Sequence, residues 1–291
     1  MTQLLVECEG LVHIYKTDEL EVVALQGLDL KVEAGEMVAI AGRSGSGKTT
    51  LMNLLAGVEA PSAGAARVAG HDLARMDNHE RDQYRREMVG YLLQHSLANI
   101  ALDLTVVQNV QVPMLGGRTR RRGARARMLL ERLGLGGQAH MRPAQLTGVE
   151  AQRLALAVAL ANGPRLLLAD EPTAELDGAN AQKLLEDLTG LLRELGTAAI
   201  MVTHDQQLER HVDRVIQIRD GRTSTERRWL AGADGKAEAA PDELVILDRA
   251  GRLQLPRAHV EKLGLRDRVR VHLEGDSIRI TPAEERPDDG R

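Results

Sequence analysis

Residues 37 to 50 read MVAIAGRSGSGKTT, an apolar run that opens into a glycine-rich loop. The loop, GRSGSGKTT at 42 to 50, fits the pattern G-x-x-x-x-G-K-[ST]. MVAIA predicts a buried strand before it and TLMNLLAG a helix after it, the context this pattern requires. There Gly42, Gly45 and Gly47 let backbone N–H groups wrap a triphosphate, and the helix start adds positive potential. Lys48 is expected to reach the β- and γ-phosphates and Thr49 to ligate Mg²⁺. The candidate ATP contacts are Gly42, Arg43, Ser44, Gly45, Ser46, Gly47, Lys48, Thr49 and Thr50.

Downstream, LLLADE at 166 to 171 is an apolar strand ending in two carboxylates. Asp170 would stand at the phosphate end of the sheet and hold Mg²⁺ through water. Glu171 follows where a base could polarise an attacking water. AAIMVT at 198 to 203 predicts the next strand, and His204 ends it. A lone strand-end histidine is usually structural, but one placed after LLLADE could meet the γ-phosphate.

Composition bounds the rest. The 291 residues carry 43% hydrophobic and 27% charged side chains, enough for one large domain and a small one. The net charge of −4 provides no global basic field for nucleic acid. Cys8 is the single cysteine, so no internal disulfide forms, and a reducing cytoplasm with Cys8 as a small buried hydrophobe is expected. The opening MTQLLVECEG has no basic stretch followed by an apolar one, so no leader is expected there. LALAVALANGPRLLLA, the longest apolar stretch, is broken by Asn162, Pro164 and Arg165 and does not span a bilayer. Phenylalanine is absent, and Tyr15, Tyr84, Tyr91 and Trp229 are the aromatic residues, so Leu, Val, Ile and Ala must fill the core.

Residues 3 to 41 read as β-rich and 72 to 163 as mostly helical, with strand-like GYLLQ early in that block. From 164 strands alternate with a helix at about 178 to 195, which argues for a mainly parallel α/β sheet carrying a helical insertion. TSTERRWLAGADGKAEAAP has a linker's composition. From about 242 a different pattern begins. LVILD and RLQLP read as short strands around Arg249-Ala250-Gly251, and Pro256 opens a helix as its first residue. RVRVHL and SIRIT alternate around Glu274-Gly275-Asp276 as a hairpin.

In this order, Tyr15, GRSGSGKTT, Gln94, LTGVEAQR, LLLADEPT, AELD and His204 resemble the ATP-binding-cassette (ABC) ATPases over residues 4 to about 225. The resemblance implies a P-loop NTPase with a RecA-like core, an antiparallel β subdomain and a helical subdomain at about 95 to 163. It implies ATP and Mg²⁺, with Tyr15 stacking on adenine. Gln94 would sense the γ-phosphate, contact the metal beside Thr49 and Asp170, and couple the site to a membrane subunit. YKTDELEVVALQGLDL, LTVVQNVQVPML, RPAQL and LADEPTAELD are most similar to the lipoprotein-release and macrolide-export branch (LolD/MacB-type, including FtsE). That likeness implies an integral membrane partner of the FtsX/MacB permease kind and a place on the inner face of the cell membrane.

LTGVE at 146 to 150 matches the family's LSGGQ or LSGGE segment, which acts across a dimer on the opposite subunit's γ-phosphate. Thr147 keeps a hydroxyl, Gly148 keeps a glycine and Glu150 is an accepted variant. Val149 departs from the pattern. Were a left-handed backbone needed there, valine would cost about 1–2 kcal/mol and weaken the ATP sandwich about tenfold. The run RTRRRGARAR at 118 to 127 reads as a solvated face, or as a contact for anionic headgroups beside a membrane subunit.

Residues 244 to 282 resemble the swapped-hairpin (AbrB/SpoVT-type) domain, whose members form intertwined dimers and often bind DNA. Arg249, Arg252, Arg257, Arg266, Arg268 and Arg270 would be the DNA candidates. Yet 242 to 282 holds eight basic and seven acidic residues, so dimerisation is favoured over DNA. The expected organisation is an ATPase domain at 1–225, a linker at 226–241, a dimerisation domain at 242–282 and a tail at 283–291. A homodimer fits this plan, and a heterodimer with a second ATPase chain stays open. The rival functions are a soluble ABC ATPase, disfavoured by the single cassette, and an ATP-sensing DNA-binding regulator.

Overall fold

The computed structural model describes residues 3–16, 20–94, 96–116, 121–228, 242–248, 251–266 and 268–283. Trp229, Arg118, Arg120, Arg249, most of the expected linker (229–241) and the tail from 284 lie outside the described residues.

In chain order, β1 (Leu4–Lys16), β2 (Glu21–Glu33) and β3 (Met37–Ala41) precede α1 (Lys48–Leu55). Then come β4 (Ala63–Val68), β5 (His71–Asp72), α2 (Asn78–Glu87) and β6 (Val89–Leu92). The helical segment holds α3 (Val106–Gln111), α4 (Arg122–Arg132) and α5 (Gly148–Ala159). After it run β7 (Leu166–Asp170), α6 (Gly178–Leu195), β8 (Ala198–Val202), α7 (Gln206–Glu209), β9 (Arg214–Arg219) and β10 (Arg222–Arg228). The last elements are β11 (Asp242–Val245), α8 (Arg257–Lys262), β12 (Val269–Glu274) and β13 (Ser277–Pro282).

The larger sheet has the order β11-β10-β9-β3-β8-β7-β6. Strands from β9 through β6 are parallel, and β10 and β11 add antiparallel at one edge. The order β2-β1-β4-β5 makes a second, antiparallel sheet. Parallel strands are covered on both faces, which is why MVAIA, LLLAD and AAIMV read as unbroken apolar runs. On β3, Val38 and Ile40 face α1 (Leu51, Leu54, Leu55) and the smaller sheet's Leu28 and Leu30. Met37 and Ala39 face the other way, toward α6 (Leu184, Leu188, Leu191) and the helical segment's Leu129 and Leu154. Leu, Val, Ile, Ala and Met fill both layers, and Tyr84 is buried with its hydroxyl donating to Leu55 O at 2.5 Å.

The C-terminal segment departs from the expected plan. Residues 226–228, placed in the linker, continue β10, and 242–245, placed at the start of a separate domain, pair with it from Thr225↔Val245 to Arg228↔Asp242. Ile246 N–H extends the pairing to Ser224 O at 2.9 Å. Without β11, β10 would end the sheet with its N–H and C=O groups open, and an adjacent strand of the same chain satisfies them. RLQLP forms no strand, and Pro256 caps α8 from outside instead of opening it. The β12–β13 hairpin forms as expected, with Glu274 facing Ser277 across the Gly275–Asp276 turn.

Candidate functional site

The parallel topology sets the loops after β3, β7 and β8 at one end of the sheet, the end where α/β proteins bind ligands. There a cavity of about 360 Å³ is lined by Tyr15, Val22, Val23, Ala24, Ser44, Gly45, Gly47, Lys48, Thr49, Thr50, Gln94, Asp170, Glu171, Val202 and His204. Residues spread over most of the sequence thus meet in one cleft.

The loop 42–47 winds through left-handed backbone into α1, with φ 152° at Gly42, 76° at Gly45 and 100° at Gly47. Gly47 is also sterically required, because a Cβ there would stand 2.6 Å from Ala24 O and 2.7 Å from a Leu25 methyl. It caps α1 with no side-chain bond, and no acidic residue sits in the first turn, so the first N–H groups remain available to an anion. Lys48 Nζ bonds Gly42 O at 2.8 Å and Arg43 O at 3.0 Å, which holds the ammonium across the loop. Burial lowers its pKa, against the opposing pull of the Glu171 and Asp170 carboxylates. Ser46 Oγ is buried without a partner among the described residues, a group in the loop that a phosphate-bearing ligand or its water could satisfy. Thr49 is exposed to the cleft, and Thr50 is buried beneath it, 3.5 Å from the Tyr15 hydroxyl.

Asp170 ends β7 and Glu171 follows with φ 51°, a left-handed backbone rarely held by a residue with a side chain. Its N–H donates to Val202 O at 2.9 Å, so the sheet pins this conformation. Burial raises the pKa of both carboxyls, while His204 (and, at Asp170, first Lys48) pulls them back down. His204 Nε2 lies 3.5 Å from Glu171 Oε1, and its N–H lies 3.4 Å from Oε2. These contacts are loose, as base–orienter pairs without substrate often are. Thr49, Gln94 and Asp170 offer hydroxyl, amide and carboxylate oxygens, a hard donor set suited to Mg²⁺. Among the described residues no group of three or more His, Cys, Asp or Glu forms a metal cage.

Thr147, Gly148, Val149 and Glu150 stand apart from this cavity, at the start of α5. Thr147 Oγ1 accepts from Glu150 N–H at 3.3 Å and a Glu150 carboxylate oxygen accepts from Thr147 N–H at 2.8 Å, a capping box. These bonds lower the Glu150 pKa, and Gln138 adds one at 2.9 Å. Val149 lies in the first helical turn and is not among the residues with positive φ. The expected left-handed penalty at Val149 therefore does not exist: the capping box holds this stretch helical, a conformation valine accepts. What remains is the bulk of its side chain.

One site feature had no signal in the sequence. Asn99 accepts from Leu93 N–H at 3.1 Å and donates to Tyr91 O at 2.7 Å, clamping the chain just before Gln94. The walls Val22, Val23 and Ala24 also emerge only from the fold.

The family model described as ABC transporter matches residues 25–174. The chain is 42% identical over 226 residues to the lipoprotein-releasing system ATP-binding protein LolD of Chromohalobacter salexigens, covering 76% of this chain and 94% of that protein. It is 43% identical over 230 residues to the macrolide export ATP-binding/permease protein MacB of Sodalis glossinidius, covering 78% of this chain but spanning 35% of that protein's length. Among solved structures it is similar to the dimeric, post-hydrolysis ATP-binding cassette MJ0796 bound to ADP and Pi, with TM-score 0.70, 33% identity, and 77% and 98% of the two chains covered.

Proposed function

The chain belongs to the ABC transporter family of ATPases, and on that premise we propose that it energises a membrane complex of the lipoprotein-release or macrolide-export kind. It is an ATP-hydrolysing, nucleotide-binding subunit of that family, working with ATP and Mg²⁺. The observation that carries the assignment of roles is the convergence of Tyr15, the 42–50 loop, Gln94, Asp170, Glu171 and His204 on one cleft.

In this reading Tyr15 stacks on adenine, the loop N–H groups and Lys48 hold the phosphates, and Thr49, Gln94 and Asp170 hold the metal. Bound Mg²⁺ would neutralise charge on the phosphates. Glu171, whose pKa burial raises, orients and deprotonates the attacking water. His204 holds Glu171 and faces the γ-phosphate. Thr147 to Glu150 complete the site on a second subunit, which explains why they lie outside this chain's own cleft.

The partner is an integral permease of the FtsX/MacB type at the inner face of the membrane. No helix among the described residues is long and apolar enough to cross a bilayer. Of the expected dimerisation domain at 242–282, the part beyond β11 acts as an AbrB-like dimerising element. Val271, Leu273 and Ile278 are 62%, 78% and 68% exposed on the β12–β13 hairpin, more apolar surface than a hairpin this small leaves open without a second copy. Affinity purification of the tagged chain from a detergent extract of native membranes tests the central claim. A co-purifying integral protein with a large extracytoplasmic part is expected, and a chain recovered alone, or with DNA or ribosomes, would overturn it.

A further inference from the structure

The β9–β10 pair closes on a two-residue turn, Asp220–Gly221, with Arg219 facing Arg222. Both turn residues are left-handed, with φ 50° and 71°, the requirement of a tight hairpin that follows the strand twist. The turn is wedged against both walls of the nucleotide cleft. Gly221 N–H donates to Ser46 O of the phosphate loop at 3.1 Å, and Gly221 O accepts from Gln26 N–H of β2 at 3.0 Å. A Cβ at Gly221 would stand 2.7 Å from Ala24 O, so only glycine permits this approach.

Arg222, the next residue, reaches the C-terminal segment. Its Nη1 lies 3.4 Å from Asp248 Oδ2 and about as close to the position a Cβ would take on Gly27, 3.8 Å away. Asp248 is itself fixed, accepting from Arg252 N–H and Arg252 Nε at 2.8 Å each. The pairing of β11 with β10 delivers Asp248 to this place.

We propose that Arg222 is a positioning residue for ATP binding, held by Asp248, so that the C-terminal segment sets how firmly the phosphate loop grips the nucleotide. Arg222 does not contact the cleft. It acts through Gly221 on Ser46 and Gln26, which carry the loop and the β2 wall. The inference goes beyond the dimerising role given to this segment and rests on ATP binding at residues 42–50.

The test is steady-state ATPase kinetics on the full chain. Asp248→Asn and Arg222→Gln should each raise KM for ATP about three- to tenfold with kcat held within about twofold, the scale of one ordinary net hydrogen bond. Arg222→Lys, which keeps charge but not the fork, should fall between. The double variant Arg222→Gln/Asp248→Asn should be no worse than the stronger single one, since the pair acts as a unit. Glu261→Gln, which breaks the Arg257–Glu261 pair of α8 (2.7 Å) away from β10, should leave KM alone. Unchanged KM in both single variants, additive effects in the double, or an equal rise with Glu261→Gln would each overturn the proposal. Lys48→Ala is the separate control: parent-like ATP affinity there would overturn the nucleotide site itself.

Discussion

The substitution Val149→Gly isolates what the unusual residue of the LTGVE segment does. If this position needed a left-handed backbone, glycine would relieve about 1–2 kcal/mol and tighten each ATP-bound half-site about tenfold. The structure removes that term, because Val149 sits in the first turn of α5 inside the Thr147–Glu150 capping box. Glycine then gains nothing from φ and loses helix propensity, about 0.4 kcal/mol relative to valine. The expected effect is a factor of about two or less, toward a looser sandwich. The assay is release of radiolabelled ATP from a Glu171→Gln background, followed by spin-column retention, which does not depend on whether the chains are otherwise tethered. Release slowed tenfold by Val149→Gly but not by Val149→Ala would refute the helical reading. Val149→Ala serves as the side-chain control, since it removes the two methyl groups without glycine's loss of helix propensity.

Three further outcomes follow from the same geometry. Glu171→Gln should bind ATP yet lose turnover by about 10²-fold or more; hydrolysis at the parent rate would remove Glu171 as the base. Leu273→Asp, at a side chain 78% exposed, should leave each chain folded but convert the ATP-free protein from dimer to monomer in sedimentation, and a persistent dimer would place the contact elsewhere. Cys8, 1% exposed in β1, has its thiol pushed up to about 12 by burial, with Asp29 and Glu7 adding to it. A buried thiol held neutral in this way is unreactive, so alkylation should occur only on unfolding, and rapid labelling of the native chain would contradict this packing.

The parts legible in the sequence are those whose determinants are contiguous. MVAIA, the 42–50 loop and α1 form one local unit, and α6 spans the expected 178 to 195 because Asp177 caps it and Gly196 ends it. The partner of β11 was not legible, since four half-exposed residues carry no mark of which edge they will join. RLQLP alternates like a strand, yet it pairs with none of the described strands. The family pattern pointed to strain at Val149, while the T-x-x-E spacing of Thr147 and Glu150 carried the opposite and better signal, a helix start. Asn99 gave none, because its role is to bond the backbone of two residues that the fold brings beside it.

Where the chain does hold backbone strain is informative. Three non-glycine residues have positive φ among the described residues: Ala69, Glu171 and Asp220. Ala69 and Asp220 each precede a left-handed glycine in a tight turn, so turn geometry accounts for them. Glu171 has no such turn. It follows a central parallel strand, is pinned by the bond to Val202 O, and bears the carboxylate nearest His204. Glycine would sit there without the left-handed cost of about 1–2 kcal/mol, but it would carry no carboxylate. The same backbone that is strained also turns Glu171 out of the strand's alternation and into the cleft beside Lys48 and Asp170. Strain that a cheaper residue would relieve, kept at a carboxylate in this cleft, is accounted for by the base role proposed for Glu171 and not by a packing role.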